Sequence, residues 1–211
     1  MLKVVVLISG RGSNLKAIID KCSKKSVSAK IIAIISNNPN ASGLNFNGKF
    51  KKIIIDNKLS KKVFENKLHN NLIKLKPDLI CLAGFMKILS PFIIKKWKNK
   101  IINVHPSLLP SFKGLNTHER ALKAGAKKSG CTIHFVDESL DGGPVIIQAE
   151  TKITKKMTSK KLGEIILKIE HKILPEVVSL FAKNEITIKK NKVIIKNKKK
   201  LIFFAKNIQI N

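Results

Sequence analysis

The feature that most narrows what this chain can fold into is an alternation. Short apolar runs recur, VVVLIS at 4–9, IIAIIS at 31–36, DLICLA at 78–83 and IINVH at 101–105, with helix-like stretches between them. Runs this apolar offer no polar face to water, so each reads as a strand buried on both sides, the habit of parallel sheets. After the first run, Leu15, Ile18, Ile19 and Cys22 fall at the i, i+3, i+4, i+7 spacing of one helix face. Ser60 can cap a second helix through residue 75, with Phe64, Leu68 and Leu72 four apart and Pro77 ending it. IIID at 53–56 is expected as a short third strand, and Ser90–Pro91 opens a short helix with proline at its tolerated first position. Strand and helix taking turns in this way predict an α/β chain of three layers around a mostly parallel sheet.

The second half is read differently. CTIHFV at 131–136 and PVIIQAE at 144–150 are separated by too few residues for a crossover, so that pair is expected to run antiparallel. A long helix is expected from Ser159 to Ala182, with Leu162, Ile166, Ile169 and Ile173 as its apolar stripe and a kink at Pro175. The tail, ITIKKNKVIIKNKKKLIFF, reads as short exposed strands or a hairpin.

At 211 residues, 44% of them hydrophobic, the chain has the length and apolar content of one domain with a sizeable core. Residues 1–211 are therefore read as a single domain, with a phosphate-binding half at 1–100 and a second half from 101 to the tail. Cys22, Cys81 and Cys131 show no metal or redox spacing, and three scattered cysteines fit a reducing, cytoplasmic setting. No apolar run approaches the roughly 18 residues of a membrane span, and VVVLIS leads straight into GRGSN without a cleavage signature. The net charge of +29 raises the question of a polyanionic partner. Arg11 and Arg120 are the only arginines, however, and tyrosine is absent. Lysine, isoleucine and asparagine share A/T-rich codons, so compositional bias yields this mix without selection for binding. Stacking platforms are few, so no specific nucleic-acid partner is expected, only weak adhesion at low salt.

Four places carry potential chemistry. In IINVHPSLLP at 101–110, Asn103 and His105 sit two apart and so share one strand face. Pro106 cannot extend the ladder, so both stand at a strand's carboxyl end, where α/β sheets bind ligands; a capped strand end is the alternative. GRGSN at 10–14 joins the first strand to the first helix, with glycines for a tight turn and Ser13 and Asn14 at a helix N-terminus that favours an anion. It lacks the third glycine and the ribose acid of a dinucleotide site and the lysine of a Walker loop, so a phosphate monoester is the expected ligand. Asp141 in SLDGGPV either caps its own turn or orients an imidazole. Glu170 lies on the edge of the long helix's apolar stripe, where it needs either a lysine partner or a ligand's amine or hydroxyls. No cluster of His and Cys suggests a metal.

Taken in order, VVVLISGRGSNLKAIID, AGFMKILSP, INVHPSLLPSFKGLNTH and LDGGPVIIQ resemble the phosphoribosylglycinamide formyltransferases, folate-dependent enzymes of purine synthesis, from residue 3 to about 182. The resemblance implies a Rossmann-like formyltransferase fold. It implies transfer of a formyl group from the co-substrate 10-formyltetrahydrofolate to the amine of 5'-phosphoribosylglycinamide, without a metal. Asn103, His105 and Asp141 would be the catalytic trio. Gly12, Ser13, Asn14 and Leu15 would hold the substrate phosphate, and Glu170 would contact the rest of the ribonucleotide. Met86, Lys87, Ile88 and Leu89 would line the folate pocket, together with the chain at Val136, Asp137 and Leu140. His134 matches a family histidine near the site, or is a satisfied strand histidine. Lys87 stands where many relatives carry arginine, and Asn116 where many carry histidine, while His118 is retained.

The partners implied are small molecules, with no membrane and a monomer or weak homodimer as the assembly. Three other readings share some of these features. A methionyl-tRNA formyltransferase and a formyltetrahydrofolate hydrolase use the same trio; the first carries a further C-terminal domain and the second an N-terminal one, for which this chain is expected to lack room. A basic nucleic-acid-binding protein on a relict fold is the alternative of another class.

Overall fold

The apolar run that opens the chain becomes a central strand. The computed structural model describes residues 1–190 and 192–196. Its main sheet contains β1 (Leu2–Ile8), β2 (Ala29–Ser36), β3 (Lys51–Ile54), β4 (Leu79–Leu82), β5 (Ile101–His105), β6 (Lys128–Phe135) and β7 (Val145–Lys152). The spatial order is β3-β2-β1-β4-β5-β6-β7. The first five strands are parallel, and β6 and β7 pair antiparallel, as the spacing of the sequence predicts.

The pleat explains why the runs are apolar throughout. Val4, Val6 and Ile8 join the core beneath α1 (Ser13–Cys22) and α5 (Ser159–Ala182). Val5 and Leu7 point the other way, into a core with Phe64, Leu68 and Leu72 of α2 (Lys61–Leu75) and Ile93 of α3 (Pro91–Lys96). Successive side chains of one strand thus serve two different helical layers. Ser60 caps α2 by accepting from the Val63 N–H, and Pro91 stands at the start of α3.

Several boundaries differ from expectation. β3 lies at 51–54 rather than 53–56: its ladder runs from Ala33–Lys51 to Ser36–Ile54, while the buried Ile55 falls just beyond it. Ile53 and Ile54 of the apolar triplet pair with β2, and only Ile55 is buried. β6 begins at Lys128, three residues early, because its partner β7 extends to Lys152. The short α4 (Thr117–Lys123), entered from a left-handed Asn116, has no strong periodic signal and went unanticipated. α5 matches its expected limits and continues past Pro175 as one helix; the missing proline N–H leaves the His171 carbonyl without its usual donor. The tail forms a hairpin, β8 (Ile186–Lys189) with β9 (Lys192–Ile195), and Ile186, Ile188, Val193 and Ile195 pack against the first core rather than standing free. The rest of the expected tail segment, 197–204, lies outside the described residues. No described helix is long and apolar enough to cross a membrane.

Candidate active site

The carboxyl end of β5 brings together what its spacing promised. Asn103 pairs with His134 across the β5–β6 ladder, and His105 with Thr132. Opposed residues share a sheet face, so four polar side chains form one patch. His105 and His134 are buried, at 5% and 2% exposure. Asn103 Nδ2 lies 3.3 Å from His134 Nε2, and His134 Nδ1 lies 2.9 Å from the Phe135 carbonyl. Burial pulls the His134 pKa below its ordinary value, so the ring is held neutral: Nδ1–H donates to Phe135 and Nε2 accepts from Asn103. One amide hydrogen of Asn103 is thereby used, and the other remains to donate elsewhere.

Asp141 arrives from the β6–β7 loop. Its Oδ2 lies 3.3 Å from His105 Nδ1 and accepts a 2.8 Å bond from the Gly114 N–H. Its Oδ1 is 3.7 Å from His134 Nε2. Asp141 itself is left-handed, φ 48°, a conformation short polar side chains tolerate best. The turn then passes through Gly143, where a Cβ would stand 2.0 Å from the Phe135 carbonyl oxygen, so no other residue fits without moving the strand. The opposite side of the His105 ring is occupied too: Nε2 lies 3.0 Å from the carbonyl of Phe112. Both ring nitrogens thus face oxygen atoms, which fixes the plane of the ring.

GRGSN forms the expected turn into α1, with Gly12 left-handed at φ 72° as the residue before the helix. A Cβ there would meet the Gly43 Cα at 2.8 Å. The close approach that Gly12 permits is thus to backbone inside the protein, and the N–H groups of Ser13, Asn14 and Leu15 stand in the first turn, where a helix has no partner of its own for them. Leu15 is completely buried, and its side chain belongs to the first core. A groove of about 790 Å³ opens beside this loop between α1 and α5, lined by Arg11, Ser13, Lys16, Phe46 and His171 among others. The Asn103–His105–Asp141 trio does not line it.

Among the described residues Glu170 meets no lysine, and it is withdrawn from solvent. It is 6% exposed and accepts from Asn14 Nδ2 at 2.7 Å. Burial raises its pKa to about 7, against the lowering effect of the Asn14 bond. Asn14 Oδ1 is buried with no partner among the described residues. The pair joins the start of α1 to α5.

The expected folate segment follows β4. Met86 and Ile88 are 70% and 68% exposed, an apolar display that water does not favour, and Leu140 on the opposite loop is exposed as well. Leu89 instead turns into the second core, and Val136 packs against that core. The Lys87 ammonium sits 4.4 Å from the centre of the Phe64 ring. Asp137 caps its own turn, accepting from the Ser139 N–H and hydroxyl. His118 on α4 packs at the Cα of Gly163, and burial lowers its pKa.

Thr132 and Gln148 were missed. The Thr132 hydroxyl donates to the Ser107 carbonyl at 2.7 Å and accepts from the Leu109 N–H at 3.1 Å and from Gln148 Nε2 at 2.9 Å. Gln148 Nε2 also donates to the Leu109 carbonyl. Together they hold the loop that leaves His105. The signal was present for Thr132, which lies two before His134 and so on its strand face. Among the described residues no three His, Cys, Asp or Glu side chains gather as a metal site requires.

A doubly wound sheet with a polar trio at its carboxyl edge, beside a glycine loop that opens a helix, defines an α/β protein whose ligand crevice lies at the carboxyl ends of its strands. Its particular family is shown by comparison: the profile of the family described as formyl transferase matches residues 2–178, and the chain belongs to that family. It is 39% identical over 198 residues to a phosphoribosylglycinamide formyltransferase of Haemophilus influenzae, covering 90% of this chain and 92% of that protein. It is 42% identical over 193 residues to the bovine trifunctional purine biosynthetic protein adenosine-3, of whose length it spans only 19%. Among solved structures, a phosphoribosylglycinamide formyltransferase of Coxiella burnetii in complex with CHES superposes with a TM-score of 0.87 at 41% identity, covering 92% of this chain and 93% of that one.

Proposed function

We propose that this chain is a phosphoribosylglycinamide formyltransferase, moving the formyl group of 10-formyltetrahydrofolate to the amine of 5'-phosphoribosylglycinamide in purine synthesis. The observation that carries this reading is the convergence of Asp141 on His105, 3.3 Å apart, on the strand face that Asn103 shares. In the reaction the neutral amine attacks the formyl carbon and the carbonyl oxygen becomes an oxyanion. The free amide hydrogen of Asn103 and the His105 ring donate to that oxygen; for Nε2 to do so, its bond to the Phe112 carbonyl exchanges for one to the oxyanion. Asp141, beside Nδ1, keeps the ring oriented. The carbon–N10 bond then breaks, and the proton lost by the amine goes to N10, directly or through water, giving formylglycinamide ribonucleotide and tetrahydrofolate.

The substrate phosphate sits on the helix N-terminus at Gly12–Leu15, where the N–H groups and the helix dipole favour an anion. Glu170 and the unpartnered Asn14 Oδ1 accept from the ribonucleotide's hydroxyls or amine. Met86 and Ile88 shelter the pterin, with Lys87, Leu89 and the chain from Val136 through Asp137 to Leu140 around it, and His134 supports Asn103. We read residues 1–211 as one domain, working in the cytoplasm as a monomer or weak dimer on small molecules. The deciding experiment follows tetrahydrofolate release with glycinamide ribonucleotide as acceptor and then with water alone. Turnover only with the ribonucleotide is expected; equal turnover with water identifies a hydrolase instead.

A further inference from the structure

β1 lies between β2 and β4 in the sheet, so the crevice at its carboxyl end separates the two loops assigned to the two substrates. Ser9 is the residue that spans it. Its hydroxyl donates to Asn37 Oδ1 at 2.6 Å, beyond the end of β2, and accepts from the Met86 N–H at 2.8 Å, beyond the end of β4. Its backbone N–H donates to the Gly84 carbonyl, and its carbonyl accepts from Asn38 Nδ2, each at 3.1 Å. Asn37 is 5% exposed, so its carbonyl oxygen depends on a protein donor. Residue 9 also leads directly into the glycine loop through Gly10, whose carbonyl accepts from the Gly43 N–H.

The segment carrying Met86 and Ile88 has no regular structure between β4 and α3. It projects two exposed apolar side chains, yet its Met86 amide is tied to the strand that feeds the phosphate loop. We infer that Ser9 is a positioning residue that couples the two substrate sites: its hydroxyl makes the order of the folate segment and the order of the phosphate loop a single event. This rests on the function proposed above. Ligand at either site fixes residue 9 and its partners, so the second ligand meets a loop already ordered and binds more tightly. The effect is reciprocal, because coupling between two sites is one free energy seen from either side. Ser9 touches neither substrate and takes no part in the chemistry.

The test is calorimetric and uses a pair that cannot react, glycinamide ribonucleotide and tetrahydrofolate, which together contain no formyl group. Each is titrated alone and then with the other saturating. In the wild-type chain each is expected to tighten the other by about fivefold or more, within the usual range of coupling between sites. In Ser9→Ala both ligands still bind, but the factor falls towards one; Ser9→Thr, which keeps the hydroxyl, restores it. A merely structural serine would weaken each ligand alone and leave the factor unchanged. If Ser9→Ala does not fold, Ser9→Cys, of similar shape but a weak donor and acceptor, is titrated in its place. A factor equal to that of wild type in a folded variant overturns the inference alone, as does a wild-type factor of one with both ligands bound. Failure of the wild-type chain to bind either ligand overturns the proposed function and the coupling with it.

Discussion

The turn that follows β1 offers backbone groups, whereas the carboxyl end of β5 and the loops beside it offer side chains. At the glycine loop the groups offered are N–H groups at the start of α1, and the left-handed positions after β1 and β4 are glycines, Gly12 and Gly84. Around the trio the left-handed positions include Phe112, Asn116 and Asp141, residues that pay a steric cost for that conformation. There the groups offered are an amide, an imidazole and a carboxylate, fixed by a Thr132–Gln148 clamp and by the N–H of Gly114. A site made of backbone is sensitive to shape, since any side chain leaves the amides in place. A site made of side chains is sensitive to chemistry, since an isosteric change can abolish it.

The largest effect expected from this contrast is at Asp141. Asp141→Asn keeps the shape and can still accept from the Gly114 N–H, but removes the charge beside His105. Its kcat is expected to fall by about 100- to 1,000-fold, the loss typical when one stabilising group of an oxyanion site fails, with unchanged thermal stability. Steady-state kinetics across pH 6–9 check this; near wild-type turnover breaks the comparison on its chemical side.

In the backbone half, Gly12→Ala and Gly10→Ala form a matched pair. The first puts a methyl 2.8 Å from Gly43 Cα at a positive φ, while at Gly10 nothing lies within 4 Å of the added carbon. Left-handed strain alone costs about 1–2 kcal/mol, so Gly12→Ala is expected to lower the melting temperature and weaken the ribonucleotide together. Gly10→Ala should do neither. Calorimetry of both variants sharpens the comparison; equal tolerance at the two positions would falsify the shape argument.

Glu170 joins the halves, and its effect is smaller and set by pH. Its folded pKa of about 7 lies above the ordinary 4.5. The folded state therefore holds a proton that the unfolded chain has released, and stability falls as pH rises from about 4.5 through 7. Glu170→Gln removes that loss while still accepting from Asn14. Its melting temperature should match wild type near pH 4 and exceed it above pH 7, at the cost of affinity for the ribonucleotide. A stability difference independent of pH would refute the buried-acid reading.

The smallest effect is expected in the tail. Replacing Lys198, Lys199 and Lys200 by glutamine should leave turnover unchanged while lessening adhesion to nucleic acid at low salt. A large fall in kcat would tie the tail to the site.

Much of the fold was legible because its signals are local. Strands buried on both faces must be apolar along their whole length, so β1, β2, β4 and β5 stand out, and the 24 residues of α5 could be bounded from its stripe alone. β3 and α4 were misjudged or missed because each is short, and pairing at a sheet edge or a single helical turn or two leaves little periodicity. Within the site, the two-residue spacing of Asn103 and His105 fixed a common face, since strand geometry permits nothing else.

What the sequence by itself determined, then, is whatever depends on neighbours along the chain: the alternation of elements, the shared strand face, the glycine turn into a helix, and a resemblance spread over four ordered motifs. Only the tertiary structure decided which distant groups meet. Asn14 and Glu170, 156 residues apart, pair because α1 and α5 pack on the same side of the sheet. Asp141 reaches His105, and Ser9 reaches both Asn37 and Met86, because the order of the strands brings their loops to one edge. Gly12 proved to be pressed against Gly43 rather than left open for a ligand. Contacts of this kind are set by the packing of layers, and no spacing along a single chain records them.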